Sequence, residues 1–426
     1  MCFVVYYLNT NKDVCFTFFF HICLLLLYYT SCKDMLEILA FVPTFSKLRG
    51  SPNDDWIDRM SHVYTTSILI IFTVAVSSGQ IFKHPIQCWV PAEFEESMEW
   101  YTEYHCWIKN TYYVPMLEEI PENISERQDA EITYYQWVPL ILLFMAVLFK
   151  CPNVVWRIFN DGSGMNLDQM VLFAEQTQLG SPKDRNKSIK SLANLMDKWL
   201  DSNVEKNLTF INRKKAGKYL TILFLFVKVL YVLNAFGQIF LLNAFLSTKY
   251  SFYGFDFFEN WKSNRPWRDS PRFPRVTLCD FQIRQLQNVQ RFTIQCVLPI
   301  NLFNEKIFIF IWFWLIFITF LAVCNLFMWI YLVILNTNKI QYCRKYLKMN
   351  HELHKKFDKK LCRKFAENYM RDDGVLVLRV IANNASDLVV NDLVMELWKI
   401  YKNKNDQNTT TGEDAPLLNP VVKTNL

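Results

Sequence analysis

The residues of this 426-residue chain with the clearest chemistry are its 12 cysteines. Four of them form two close pairs, Cys88 with Cys106 and Cys279 with Cys296, separated by 17 and 16 intervening residues. On the oxidising side of a membrane an even number of thiols implies disulfides. Spacing alone does not fix which cysteine meets which. If the two stretches run antiparallel, the nested pairing Cys88–Cys296 and Cys106–Cys279 is expected. Cys151, Cys324, Cys343 and Cys362 fall in apolar or basic segments and read as reduced and structural. Cys343, His351, His354 and Cys362 lack the spacing of a zinc finger, so no metal site is expected. The sequence contains no glycine-rich phosphate loop, no HExxH and no serine nucleophile elbow. It therefore reads as a non-enzyme with no cofactor.

Three other groups of polar residues bear on function. Thr66, Thr73 and Ser77 are spaced by seven and four, which puts them on one helical face. Such a face either meets water or packs against another helix through small residues. Lys228, Asn234 and Gln238 lie inside an apolar stretch. Asn234 and Gln238 share a face, and Lys228 is expected to snorkel toward the membrane boundary. Asn123-Ile124-Ser125 is a glycosylation sequon.

These residues need elements to hold them, and the composition says which. The chain is 52% hydrophobic and 16% aromatic with 36 Phe, above the roughly 45–50% apolar content of soluble domains. The excess is gathered in blocks. About 20 apolar residues cross a bilayer as a helix, and four blocks are long enough: 62–83, 134–159, 219–246 and 306–335. The stretch 157–218 carries 11 Lys/Arg, whereas 84–133 carries two, Lys109 and Arg127, against 11 acidic residues. The positive-inside rule puts 84–133 outside and 160–218 inside. The stretch 247–305 is rich in arginine, and only its parity and its cysteines place it outside. The net charge of +6 comes with no basic face interleaved with aromatics, so no nucleic-acid partner is expected. Cys343 to Lys364 is strongly basic and suits a cytoplasmic helix near anionic lipid. Residues 336–402 read as a cytoplasmic helical domain and 403–426 as a disordered polar tail.

One stretch is more specific. Tyr134-Tyr135-Gln136-Trp137-Val138-Pro139 leads into the apolar run Leu140 to Phe149 and then Lys150-Cys151-Pro152. Its rings suit a membrane–water interface, and Pro139 suits a first helical turn. This string resembles the signature of the innexins, the invertebrate gap-junction proteins related to the vertebrate pannexins. Pro85-Ile86-Gln87-Cys88-Trp89-Val90-Pro91, Ser51 to Asp58, and Phe303-Asn304-Glu305-Lys306-Ile307 also resemble innexin segments, as does Met35-Leu36-Glu37-Ile38-Leu39. The likeness is nematode-like and covers about residues 35–400.

The resemblance implies an all-α membrane protein: four transmembrane helices per subunit, disulfide-braced extracellular loops and a helical cytoplasmic domain. It implies a multi-pass plasma-membrane protein of gap junctions, passing ions and small molecules between adjoining cells. Partners would be other innexins in a homo- or hetero-oligomeric ring, a docking ring on the adjacent cell, and membrane lipids. In this family the first span and the amino-terminal segment (35–61) line the pore, which nominates Met35, Leu36, Thr66, Thr73 and Ser77. Residues 1–34 have no counterpart in the pattern, and Val14 to Tyr29 is short for a span, so Met35 is expected to begin the functional protein. The rivals are an undocked pannexin-like hemichannel, which a glycan on Asn123 would favour, and a four-span adhesion protein without a pore.

Overall fold

Four apolar blocks fold as long helices, and the outer stretches between them fold together as a sheet. The computed structural model describes residues 53–82, 84–178, 182–205, 217–246, 272–352 and 356–410. The extension 1–34, Met35 and Leu36, and the tail beyond 410 lie outside the described residues. The long helices are α1 (Trp56–Ile81), α4 (Val138–Asp161), α7 (Tyr219–Leu246) and α8 (Pro299–Ile334). Among the described residues, four helices are thus long and apolar enough to cross a membrane. The described chain divides into two compact units. One contains Ile57–Val154 and Lys228–Asn325; the other contains Gly50–Trp56, Val155–Val227 and Leu326–Leu426 so far as these are described.

The first unit has two cores. Leu69, Val76, Leu142, Met145, Phe149, Leu242, Phe308 and Leu315 pack the parts of α1, α4, α7 and α8 that belong to it. Above it the outer stretches build β1 (Gln87–Trp89), α2 (Glu96–Lys109), β2 (Thr111–Tyr112), α3 (Ile124–Asp129), β3 (Glu131–Ile132), β4 (Val276–Gln285) and β5 (Asn288–Val297). The five strands form one antiparallel sheet in the order β1-β5-β4-β2-β3. Its core is Ile86, Cys88, Cys106, Ile132, Tyr135, Cys279, Phe281, Ile294, Cys296 and Leu298. β4 and β5 pair from Val276↔Val297 to Gln285↔Asn288, so Leu286 and Gln287 make a two-residue turn. Leu286 sits at φ +55 and is 96% exposed. A left-handed backbone at a bulky residue is uncommon and strained.

Boundaries shift where polar residues are absorbed into helices. α8 starts at Pro299, seven residues ahead of the expected Lys306. Pro299 is preset for a first helical turn. Asn301, Asn304 and Glu305 follow it fully buried, and Asn301 Nδ2 donates to the Pro274 carbonyl at 2.8 Å. α1 starts at Trp56 and contains a π-helical turn, Met60–Tyr64. At 36 residues α8 extends about 54 Å, beyond the roughly 30 Å of a hydrocarbon core, so it must tilt or project.

The second unit adds α5 (Leu167–Thr177), α6 (Pro182–Glu205), α9 (Asn336–Met349), α10 (Lys356–Lys364), α11 (Arg371–Asn384) and α12 (Asp387–Thr410). Met170, Ala193, Met196, Leu347, Phe365, Leu378, Leu393 and Trp398 are among its buried residues. Ion pairs join its helices, Arg185 to Asp392 at 2.6 Å and Lys404 to Asp197 at 2.7 Å. The last helix corrects the expected tail: residues 403–410 continue α12, where Lys404 reaches Asp197 and Asp201 on α6.

Candidate channel face and outer cap

The cap is built on two disulfides. Cys88 and Cys296 face each other in the β1–β5 register and are bonded; Cys106 on α2 is bonded to Cys279 on β4. The first joins strand to strand, and the second staples the helix onto the sheet. Each crosses between the two outer stretches, over 208 and 173 residues of sequence, which is the nested arrangement expected of antiparallel loops. The sulfurs of Cys88, Cys106 and Cys296 lie within 4.8 Å of one another. As disulfides they offer no thiolate to a metal.

A polar knot that sequence reading missed lies beside the second bridge. The Asp280 carboxylate accepts from Arg127 at 2.8 Å, Thr293 at 2.8 Å and Tyr112 at 3.0 Å. Lys109 Nζ donates to the Asp280 carbonyl at 2.9 Å. One residue thereby ties β4 to β5, to β2, to α3 and to the end of α2. Burial alone would raise the Asp280 pKa. The bonds from Arg127, Thr293 and Tyr112 outweigh it and hold the carboxyl below the ordinary range. Burial, then the bond to Asp280, pushes Tyr112 up to about 12. In the sequence Asp280 is one of five acids in the arginine-rich stretch 247–305, and nothing marks it out from the others.

The aromatic motif is a joint. Tyr135 is fully buried in the cap core, its ring 4.8 Å from that of Trp107. Its hydroxyl donates to the Trp107 carbonyl at 3.3 Å, as does Gln136 Nε2. Gln136 Nε2 also reaches Asn110 Oδ1 at 3.4 Å. Asn110 takes φ +79 and ψ 161 where α2 turns into β2, outside the left-handed helical well and strained for any residue with a Cβ. From α1, Gln80 Nε2 donates to the Tyr135 carbonyl at 2.9 Å. Tyr134 packs edge-on to Phe245 and Phe273. Trp137 is 56% exposed, and Val138 and Pro139 open α4. Of the three rings expected at the membrane interface, then, Trp137 is the exposed one and Tyr135 belongs to the protein interior.

The three α1 residues nominated for the pore differ in burial. Thr66 is fully buried, and its hydroxyl lies 3.5 Å from the Ala146 carbonyl of α4, to which it donates. That corrects its placement on a water-facing wall: Thr66 packs helix on helix. Thr73 and Ser77 are half-buried, with the Thr73 hydroxyl turned back to the Leu69 carbonyl at 2.8 Å. Ile71, Val74, Ala75, Ser78 and Ile81 are the exposed residues beside them.

Lys228 does not snorkel. It is 3% exposed and forms an ion pair with Asp58. His62, on the π-helical turn, is buried beside Asn153 and Tyr231. Gln238 is buried and turns its amide toward the Met145 carbonyl, at 3.4 Å. In the other unit, burial pushes the Cys343 thiol up to about 12, which makes it inert as a nucleophile.

A family model described as Innexin matches residues 54–401. Innexin unc-9 of Caenorhabditis elegans is 39% identical over 371 residues, covering 85% of this chain and 95% of that protein. Innexin-19 of Caenorhabditis briggsae is 35% identical over 396 residues, covering 86% and 90%. Innexin-11 of Caenorhabditis elegans is 31% identical over 414 residues, covering 92% and 89%.

Proposed function

The chain belongs to the innexin family, the gap-junction channel proteins of invertebrates, and from that premise we propose how it builds its channel. It is a multi-pass plasma-membrane protein and a structural subunit of gap junctions. One subunit with four spans cannot enclose a wide aqueous path. A closed ring of about six to eight identical or related subunits can, by cyclic symmetry. The wall of that path includes the α1 face around Thr73 and Ser77, together with the amino-terminal segment that begins near Met35 and Leu36. The path is wide enough for ions to stay hydrated, so selectivity is weak. The disulfide-braced cap of one ring docks on the cap of a ring in the next cell, and the basic stretch from Cys343 to Lys364 lies at anionic lipid.

The observation that carries this reading is the cap: both outer stretches share one sheet, cross-tied twice, on four apolar helices. Paired cells expressing the chain test it. Electrical coupling between the cells is the expected result. Current in single cells without coupling would instead make it an undocked hemichannel, the reading that a glycan on exposed Asn123 would favour. Neither signal would point to adhesion without a pore.

A further inference from the structure

The cap is electrically lopsided. Glu95, Glu96 and Glu99 are exposed around the start of α2, next to exposed Met98, Trp100 and Tyr104. That end lies by His84, whose ring is 5.3 Å from Trp100. The other end of α2 is held at the middle of β4 by the Cys106–Cys279 bridge and by Lys109 on Asp280. Beyond that point the β4–β5 ribbon pairs with no further strand among the described residues. β1 pairs with β5 only from Gln295 to Val297, and β2 pairs with β4 only at Leu278. From Gln282 to Arg291 neither edge of the ribbon pairs with another strand among the described residues, and every residue there except half-buried Ile283 is exposed. An isolated two-stranded ribbon is marginal in water, and open edges invite another chain. Arg284 and Arg291 lie on the two strands of this ribbon two register steps apart, opposite Val289 and Gln282 respectively. Neither has a carboxylate partner among the described residues.

We propose that this basic ribbon is the contact made with the acidic, aromatic start of α2 on the neighbouring copy of the same chain. This deepens the ring reading above and rests on it. A ring needs a head-to-tail interface, in which two different patches of one subunit meet. Here the patches are opposite in charge and lie at different places on one cap, so each copy presents one to each neighbour. Trp and Tyr beside the acids, and Arg opposite them, are the side chains that dominate interface energies. Charge complementarity of this kind also rejects the wrong register, because like charges brought together cost several kcal/mol in general.

The test uses the full chain expressed in isolated cells and extracted in detergent, with ring and monomer separated by size. Arg284→Glu with Arg291→Glu, and separately Glu96→Arg with Glu99→Arg, should each lower the ring-to-monomer ratio by at least about tenfold. All four changes in one chain should restore it. Non-reducing peptide mapping checks that both disulfides are intact, so that loss of rings is not loss of fold. Rings that ignore the charge changes overturn the contact alone, and so does a four-fold swap that fails to restore them with its disulfides in place. A defect confined to coupling between cells, with rings intact in single cells, also overturns it, since the patches would then meet across the gap. A parent chain that never forms rings overturns the ring reading and the contact with it.

Discussion

At the scale of single residues, the chain's buried charges decide more than its exposed ones. Lys228 and Asp58 satisfy each other inside the first unit. Removing one partner strands the other, which typically costs about 3–5 kcal/mol, whereas replacing both is far milder. Lys228→Ala should therefore lower the thermal midpoint of detergent-extracted protein sharply, and Lys228→Met with Asp58→Asn should recover most of the loss. Equal damage from the single and double changes would show that the pair is not coupled. Asp280 makes a prediction in pH. Its folded pKa is depressed, burial being outweighed by the bonds from Arg127, Thr293 and Tyr112. A depressed carboxyl contributes stability that is complete above its unfolded pKa of about 3.9 and is lost as pH falls through the lower folded value. The protection of β4 amides against hydrogen exchange, taken relative to the unstructured-chain rate at each pH, should thus fall below about pH 4 in the parent, and much less steeply in Asp280→Asn. Glu103 runs the other way, since burial raises its pKa, so the Asp280→Asn comparison is what isolates the Asp280 share. Lys228 shows where residue-level reading stops. A lysine in an apolar run can reach a boundary or a partner, and the partner, Asp58, lies 170 residues away in sequence.

At the scale of elements, the cap depends on its bridges and the spans on their packed faces. A bridge across so long a loop contributes typically 2–4 kcal/mol, and Cys106–Cys279 is also what holds α2 on the sheet. Cys279→Ser or Cys88→Ser should abolish coupling between paired cells; full coupling in either would show the bridge to be dispensable. For α1, cysteines at Thr73 and Ser77 should react with aqueous thiol reagents in open channels, and one at Thr66 should not, because Thr66 is covered by α4. Reaction at Thr66 alone would reverse the assignment of the face. The spans were the legible elements: a long apolar run has one stable form in a bilayer, and Tyr219–Leu246 is the helix at the bounds the hydropathy suggests. The sheet was not read, although its alternation is present. Cys279, Phe281 and Ile283, and Phe292, Ile294 and Cys296, recur every second residue. Short β1, β2 and β3 carry too few residues to show any period, and their pairing with β4 and β5 is a long-range choice. The hydroxyl spacing on α1 predicts a shared face, but spacing cannot tell water from a neighbouring helix, and Thr66 meets the helix.

At the scale of the whole molecule, topology is the feature most open to direct test. Asn123 is exposed, its amide bonded only to nearby Glu126 at 2.9 Å. If that stretch is outside, protein from cells should lose mass on treatment with an amidase that removes N-linked glycans, and Asn123→Gln should abolish the shift. A shift that persists in Asn123→Gln would mean that another Asn-X-Ser/Thr, such as Asn186-Lys187-Ser188 in the stretch placed inside, had been exposed. The nested bridges also set an order on biosynthesis. Cys88 and Cys106 are delivered to the lumen early, but their partners are encoded 208 and 173 residues later. At about 5–20 residues per second the first two thiols wait roughly ten to forty seconds. During that wait the only partner within reach is each other. The chain therefore has to be made with its two early thiols kept reduced, or with a temporary Cys88–Cys106 link that is later undone. In the finished cap the sulfurs of Cys88, Cys106 and Cys296 are within 4.8 Å, so the Cys296 thiolate arriving on β5 can attack Cys88 of such a link and release the Cys106 thiol, which then joins Cys279 by oxidation through a cellular disulfide donor. A cell short of oxidoreductase would then be expected to strand this protein as a half-made form, with its last span inserted and its cap still locked on itself.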